Sequence, residues 1–399
     1  MKGDWEMKKV GELFKTSSGG TPLKSHVDYY ENGDIPWLVS GEVNNFNITE
    51  SKNFITKKGL DNSSAKMFPK DSVLVAMYGA TAGQVGILRF EACSNQAVCA
   101  IYPNENFDTK FVYYSFLSKK NELISKAVGN AQPNISQLKI RDTEIPDISL
   151  PEQQKIVEIL DTAFDLIDQA KSNIEKNIQN AKELFQSKLN EVFLQKGDGW
   201  EEKPLEKVAK TASGGTPLKS HEEYYENGNI PWLLSGEVNN RSITECRKFI
   251  TQKGLENSSA RIFPKDSVLV AMYGATAGQV GILRFEAASN QAVCAIFPNE
   301  NFIVDFLYYN FLFKKSELIG KAVGNAQPNI SQIKIKETVV AIVDLKTQQR
   351  IVEQLDQLSA QTEMLQKKYI QKLANLEELK KSILEKAFKG ELVMEVHSN

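Results

Sequence analysis

The chain repeats itself at a constant offset of 195 residues, and any fold proposed for it must do the same twice. SGGTPLKSH at 18–26 returns at 213–221, IPWLVSGEVNN at 35–45 returns as IPWLLSGEVNN at 230–240, and KAVGNAQPNIS at 126–136 returns at 321–331. Over Lys70–Phe107 and Lys265–Phe302 the 38 aligned positions differ only at Cys93/Ala288 and Tyr102/Phe297. The offset persists through Gln153-Gln154 and Gln348-Gln349 to Phe193 and Phe388, so the copies align without net insertion. A unit of this length is a domain with an appendage, far beyond the roughly 20–50 residues of a solenoid repeat.

Within each copy the periodicity changes near residue 150. Before it, short apolar runs such as 72–77, 85–90 and 97–102 are bounded by Gly, Asn and Pro and predict buried strands. Residues 107–128 have helical spacing, with Phe111, Tyr114, Leu117 and Leu123 as the expected packed stripe. After Pro151 no Gly or Pro occurs until Gly197, and Ile156, Leu160, Ala163, Ile167, Ala170, Ile174, Ala181 and Leu184 follow coiled-coil spacing. Ile351, Leu355, Leu358, Leu365, Tyr369, Leu376, Leu379 and Ile383 form the second stripe. The expected architecture is α+β. Two mixed α/β heads (1–150 and 197–345) are joined by two long antiparallel coiled-coil helices (151–196 and 346–392) about a pseudo-two-fold axis, with a tail at 393–399.

Lys plus Arg number 48 against 50 Asp plus Glu, a net charge of −2 that by itself argues against a nucleic-acid partner. No apolar run approaches the roughly 18 residues of a membrane span, and Met1–Glu6 carries no signal core, so no membrane partner and a cytoplasmic location are expected. Cys93, Cys99, Cys246 and Cys294 form no C-x-x-C pair, and with three His no metal site is expected. Two near-identical heads in inverted orientation suit a partner whose own strands are related by two-folds, and duplex DNA is the obvious one.

Several motifs carry a family resemblance. These are Gly19-Gly20-Thr21-Pro22 followed by Ile35-Pro36-Trp37, Gly59-Leu60 with Ser63-Ser64-Ala65, Asn95-Gln96, Gly129–Ile135, and Leu150-Pro151-Glu152-Gln153-Gln154 opening the long helix. On these the chain resembles the specificity (S) subunit of type I restriction-modification systems, over essentially its whole length. The second copy departs at Leu345-Lys346-Thr347-Gln348-Gln349, which leaves the start of its helix open. The resemblance implies a non-catalytic subunit whose two target recognition domains each read half of a bipartite DNA sequence. It also implies two docked methyltransferase (M) subunits using S-adenosylmethionine, and restriction (R) subunits using ATP and magnesium. No cofactor is expected in this chain.

Omissions agree with that. No N-P-P-F/Y or D-P-P-Y run and no F-x-G-x-G strand end is present, and Leu23 stands where a phosphate loop needs Gly before Lys24-Ser25. A nuclease site would have to come from Asp147, Glu152 and Lys155, an arrangement the second copy does not keep. The rival reading is a two-headed scaffold that binds proteins without DNA specificity.

DNA reading needs cations for phosphates and amide, hydroxyl or guanidinium groups for base edges. Residues 51–70 hold Lys52, Lys57, Lys58, Lys66 and Lys70 against Asp61 alone. Residues 246–265 hold Arg247, Lys248, Lys253, Arg261 and Lys265 against Glu256. With Thr21, Lys24, Ser25, Tyr29, Asn44, Asn45 and Asn47, and with Thr216, Lys219, Ser220, Tyr224, Asn239, Asn240 and Arg241, these are the candidate DNA-binding residues. Glu42 and the other acids of 21–50 are expected to face solvent, and Trp37, Trp232, Cys99 and Cys294 to lie in the core. Gln153, Gln154, Gln348 and Gln349, with the loops 129–136 and 324–331, are candidate M-subunit contacts. The copies differ at Phe46-Asn47 against Arg241-Ser242 and at Ser51–Asn53 against Cys246–Lys248, where reading could differ. Otherwise their likeness predicts similar half-sites, hence an interrupted palindrome.

Overall fold

A computed structural model describes residues 5–44, 46–125, 134–321 and 329–392. The chain divides into two compact units, one of residues 1–174 with 370–399 and one of residues 175–369.

In the first unit a five-stranded sheet runs in the order Thr16–Ser18, Val98–Ile101, Val73–Ala76, Val85–Leu88, Asn47–Ile48, antiparallel except for the last pair. Its three central strands are buried at every position and carry no polar side chain, because both faces of the sheet are covered, whereas the edge strands Thr16–Ser18 and Asn47–Ile48 keep polar residues. Val73, Val75 and Met77 pack towards the helices, while Leu74 and Ala76 meet Leu38, Val43 and Phe68 on the other side. Phe54–Ile55, Ile35–Leu38 and Cys93–Ser94 form a small second sheet, and Met7–Lys9 pairs with Glu144–Pro146. The second unit repeats this with Thr211–Ser213, Val293–Ile296, Val268–Ala271, Val280–Leu283 and Ser242–Ile243.

Helix Thr109–Ser118 is buried from Phe111 through Phe116 rather than along the expected stripe, and Leu117 is only half-buried. The reason is that it lies between sheet and long helix, with Phe111 5.4 Å from Phe388 and Tyr114 5.5 Å from Phe164. In the first copy it stops at Ser118, whose hydroxyl donates back to Ser115 O (2.7 Å) and competes with the helix. The second copy has Phe313 there, stacked 5.3 Å from Phe193, and its helix runs unbroken from Val304 to Gly320.

The long helices are Leu150–Leu194 and Leu345–Phe388. Within the first unit Asp168 pairs with Lys380 and Lys171 with Glu377, so one number falls as the other rises and the pairing is antiparallel. Leu160, Phe164 and Ile167 share a core with Leu384 and Ala387. In the second unit Leu189 and Phe193 share one with Ile351, Val352 and Leu355. Three expected seam residues, Leu184, Leu365 and Leu379, face solvent at 56, 43 and 47% exposure. A straight helix drifts about 20° per heptad from a strict seven-residue repeat. Ala181 of the expected stripe stays buried, and the inward face drifts to half-buried Phe185 and to buried Thr362. Among the described residues no helix is long and apolar enough to cross a membrane.

The two helix starts are capped differently. Ser149 donates from both N–H and hydroxyl to Glu152, whereas in the second copy Asp344 accepts from Thr347 N (3.0 Å), a bond that lowers its carboxyl pKa. A cap one residue before Leu345 replaces the missing Pro-Glu.

Candidate DNA interface

Gly19 and Gly20 are needed because other backbone passes over them. A Cβ on Gly19 would collide with Ser94 and Asn95, and one on Gly20 with Ser64 and Ala65. The Gly-Gly pair is a three-way junction rather than a phosphate cradle. Trp37 is buried beneath it and donates its Nε1–H to Gly20 O (2.9 Å), while Thr21 donates its hydroxyl to Gln96 and Tyr30 donates to Pro22 O. Beyond this junction Leu23 to Asp28 form an exposed loop, with Leu23 and Val27 64 and 65% exposed. The second copy repeats the junction through Trp232, Thr216–Gln291 and Tyr225.

Lys24, Ser25, Lys219 and Ser220 stand exposed on these loops. Tyr29 and Tyr224 do not. They are buried and stack on His26 and His221 at 4.7 and 4.8 Å, which corrects their candidacy as base contacts. Trp37, Trp232, Cys99 and Cys294 are in the core, and burial pushes both of these thiols up to about 12.

The second group surrounds an open hollow. In the first head it measures ≈ 180 Å³ and is lined by Asn44, Asn47, Thr49 and Lys52. In the second it measures ≈ 460 Å³ and is lined by Asn239, Asn240, Ser242, Arg247 and Lys248. Asn45 lies outside the described residues. Glu42, expected to face solvent, instead ties the loop together by accepting from Val39 N and Lys52 N, both at 2.8 Å. Glu237 does the same with Leu234 N and Arg247 N. Asn47 accepts from Arg89 Nε (2.7 Å), leaving its amide N–H groups for other partners. Amides beside free cations match what base edges and phosphates offer.

The basic stretch is less available than its composition suggests. Lys57 pairs with Asp61 (2.8 Å) and Lys58 with Asp28 (2.5 Å), a bond that raises the ammonium's pKa and lowers the carboxyl's. Lys253 pairs with Glu223 (3.4 Å). Lys24, Lys52, Lys66, Arg247, Lys248 and Arg261 make no ion pair among the described residues.

Arg241 is corrected outright. Its burial disfavours the charge, but hydrogen bonds to Asp356 and Asp305 outweigh it and hold the guanidinium's pKa above its ordinary value. The group lies 5.1 Å over Tyr309 and is used inside its own unit. A signal was present in the sequence. Where Phe46 becomes Arg241, Lys110 becomes Asp305.

The four glutamines split. Gln153 is wholly buried, accepting from Asp108 N (2.9 Å) and donating to Asn106 O and Ile148 O, and Gln348 repeats this with Ile303, Asn301 and Val343. Both fasten a head to its long helix and are closed to a partner, a correction to their candidacy. Gln154 and Gln349 remain exposed. The loops 129–136 and 324–331 lie largely outside the described residues. Asp147 is paired with Lys8 and Glu152 caps its helix, and among the described residues no three His, Cys, Asp or Glu are grouped to hold a metal.

The family described as the type I restriction modification DNA specificity domain matches this chain twice, over residues 2–180 and 197–375. The chain belongs to that family. It is 26% identical over 363 residues to the type I restriction enzyme MjaIX specificity subunit of Methanocaldococcus jannaschii, covering 84% of this chain and 83% of that one. To the EcoKI specificity subunit of Escherichia coli (strain K12) it is 24% identical over 423 residues, covering 97 and 89%. The fold is shared with a solved chain from work on complex assembly and conformational transition of the type I R-M system. That likeness has a TM-score of 0.78 at 20% identity and covers 97 and 98% of the two chains. It is shared also with the HsdS subunit from Thermoanaerobacter tengcongensis, TM-score 0.63 at 19% identity, covering 97% of each. As a member of the specificity family the chain supplies DNA recognition to a restriction system and is not itself the catalyst.

Proposed function

We propose that each head reads one half of a bipartite DNA target, with the Asn- and Lys/Arg-lined hollow at 41–53 and its copy at 236–248 as the reading surface. The observation that carries this is the recurrence of one frame in both heads. A glutamate closes the loop, and Asn44 or Asn239 lines the hollow with Lys52 or Arg247, neither of which is ion-paired among the described residues. Because the frame is shared, the half-sites are the same word or nearly so, in inverted order. Differences are expected where the two stretches differ, at Asn47 against Ser242 and at Ser51-Lys52-Asn53 against Cys246-Arg247-Lys248; the fifth change, Phe46 to Arg241, is taken up inside each head.

Catalysis then belongs to docked partners. Methyltransferase subunits, two by the symmetry of the repeat, bring S-adenosylmethionine, and restriction subunits bring ATP and magnesium. Exposed Gln154 and Gln349 stay candidates for that docking, and a cytoplasmic location follows from the DNA target. Mapping N6-methyladenine in cells carrying the intact system tests the reading. An interrupted palindrome is expected, and two unrelated half-sites would overturn the shared-frame reading. A complex of chain and methyltransferase with no site preference in a mobility-shift titration would remove DNA recognition by this surface altogether.

A further inference from the structure

We propose that each head carries a second DNA contact, a basic hollow at the free edge of its five-stranded sheet that holds phosphodiester groups and reads no base. In the second head this hollow measures ≈ 500 Å³. Lys210, Arg261 and Lys336 line it together with Ile262 and Phe297, and Glu206 is its one carboxylate. The three cations come from separate stretches of chain. Lys210 precedes the edge strand Thr211–Ser213, Arg261 belongs to the loop before Val268–Ala271, and Lys336 ends the short helix Gln332–Lys336.

Like charges gathered round one cavity repel, and the usual remedy is an ion pair. Lys57, Lys58 and Lys253 have one; Lys210, Arg261 and Lys336 have none among the described residues. The same holds for their counterparts Lys15, Lys66 and Arg141 in the first head. The copies also keep the charge while exchanging its carrier, in both directions: Lys66 becomes Arg261, and Arg141 becomes Lys336. What is retained at these positions is positive charge, not side-chain shape, which suits a phosphate and not a base edge.

The cations are also held in place. Gln332 donates to Thr211 Oγ1 (3.2 Å), and Gln137 to Thr16 Oγ1 (3.1 Å), so the helix bearing the third cation is fastened to the edge strand bearing the first. In the first head Lys15 lies 5.1 Å over the Tyr102 ring, and Gly11 leaves room for Arg141, whose Nε would be 2.9 Å from a Cβ there. The hollow adjoins the recognition loops through shared backbone. Arg261 follows Ala260, the residue that passes over Gly215, and Thr216 comes next.

This rests on the reading that the heads bind DNA, and the test separates the two. The full-length chain with its methyltransferase subunits is titrated with DNA containing and lacking the mapped site across a range of salt concentrations. The triple variant Lys210→Gln/Arg261→Gln/Lys336→Gln is compared with the parent, and Lys57→Gln/Lys58→Gln serves as the ion-paired control. The triple variant is expected to lower the slope of log affinity against log salt by about 0.9 per contact, or about 2.7 in all, while its methylation motif stays unchanged. The control keeps the parental slope. A parent that prefers its site while the triple variant keeps both slope and affinity overturns the hollow alone. A changed motif also overturns it, since that would make the hollow a base reader. A parent with no site preference overturns both. Far-ultraviolet circular dichroism and the melting temperature of the triple variant must match the parent. If they do not, the single Lys210→Gln takes its place: a slope lowered by about 0.9 supports the hollow, and an unchanged slope overturns it.

Discussion

The two units solve one problem, tying a loop of the head to its long helix, with opposite chemistry. In the first, Phe46 lies against Tyr113 (4.7 Å) and the cation is on the head helix. Lys110 sits 2.6 Å from Asp161 of the long helix, which also accepts from Tyr114 (2.7 Å). In the second, the cation has moved to the loop. Arg241 bridges Asp305 (2.6 Å) and Asp356 (2.7 Å), and Tyr309 donates to Asp356 (2.5 Å). The aspartate on the long helix and the tyrosine are constant, while loop and head helix have changed as a compensating pair. Likeness between the copies is therefore kept where the sheet core demands shape, and it relaxes where two partners can change together.

The largest test concerns what should stay equal. Gly20→Ala and Gly215→Ala each force a methyl into backbone and are expected to cost about 2–4 kcal/mol, the same in both heads by hydrogen exchange. Unequal losses would show that the junctions are not equivalent. The latches should then differ. Arg241→Ala strips both carboxylates of a shared cation, leaving Asp356 with only Tyr309 and Asp305 with only the longer pair to Arg284, and costs about 2–3 kcal/mol, whereas Lys110→Ala removes one half-exposed pair and costs about 0.5–1 kcal/mol. Transplanting the first latch as Arg241→Phe with Asp305→Lys should recover most of the loss, and a merely additive double variant would break the pairing.

Alkaline pH should separate the heads further. Burial pushes Cys93 and Cys99 up to about 12; the second head has Ala288 in place of Cys93 and, besides Cys294, only the less buried Cys246, whose thiol burial also raises. Above the ordinary thiol value near 9 the unfolded chain ionises and the folded head does not, so stability falls as pH rises from about 9 towards 12. The first head should lose more between pH 8 and pH 10.5, and Cys93→Ala should narrow the gap in urea midpoints. Smallest of all, Lys57→Gln gives the first head the second head's residue and exchanges an exposed ion pair for a hydrogen bond from a neutral amide to the same carboxylate. No more than about 0.5 kcal/mol should change.

Much of this was legible in the sequence. The 195-residue offset announces two equal heads, and the uninterrupted stretch after Pro151 announces the helices, because both are local or periodic signals. The latch was harder. Arg241 reads as a free cation beside Asn239 and Asn240 until Asp305 and Asp356, 64 and 115 positions away, are folded against it. Gln153 misled for a similar reason, since an amide that satisfies three backbone groups looks in sequence like any helix-opening glutamine. The seam residues Leu184, Leu365 and Leu379 misled because a heptad ruler was laid along helices of ordinary pitch.

The units are not the repeats, and this sets an order of birth. Residues 175–369 form one uninterrupted unit, whereas the first is completed by residues beyond 370, which bring Leu384 and Ala387 into its core. On a ribosome making 5–20 residues per second, the first head must wait roughly 10–40 s between residue 174 and residue 388 for its last core residues. The second copy, translated later, is finished sooner. Protease protection of stalled nascent chains should appear in the second unit before the first, and the reverse order would mean that the first head is stable without its late-arriving helix.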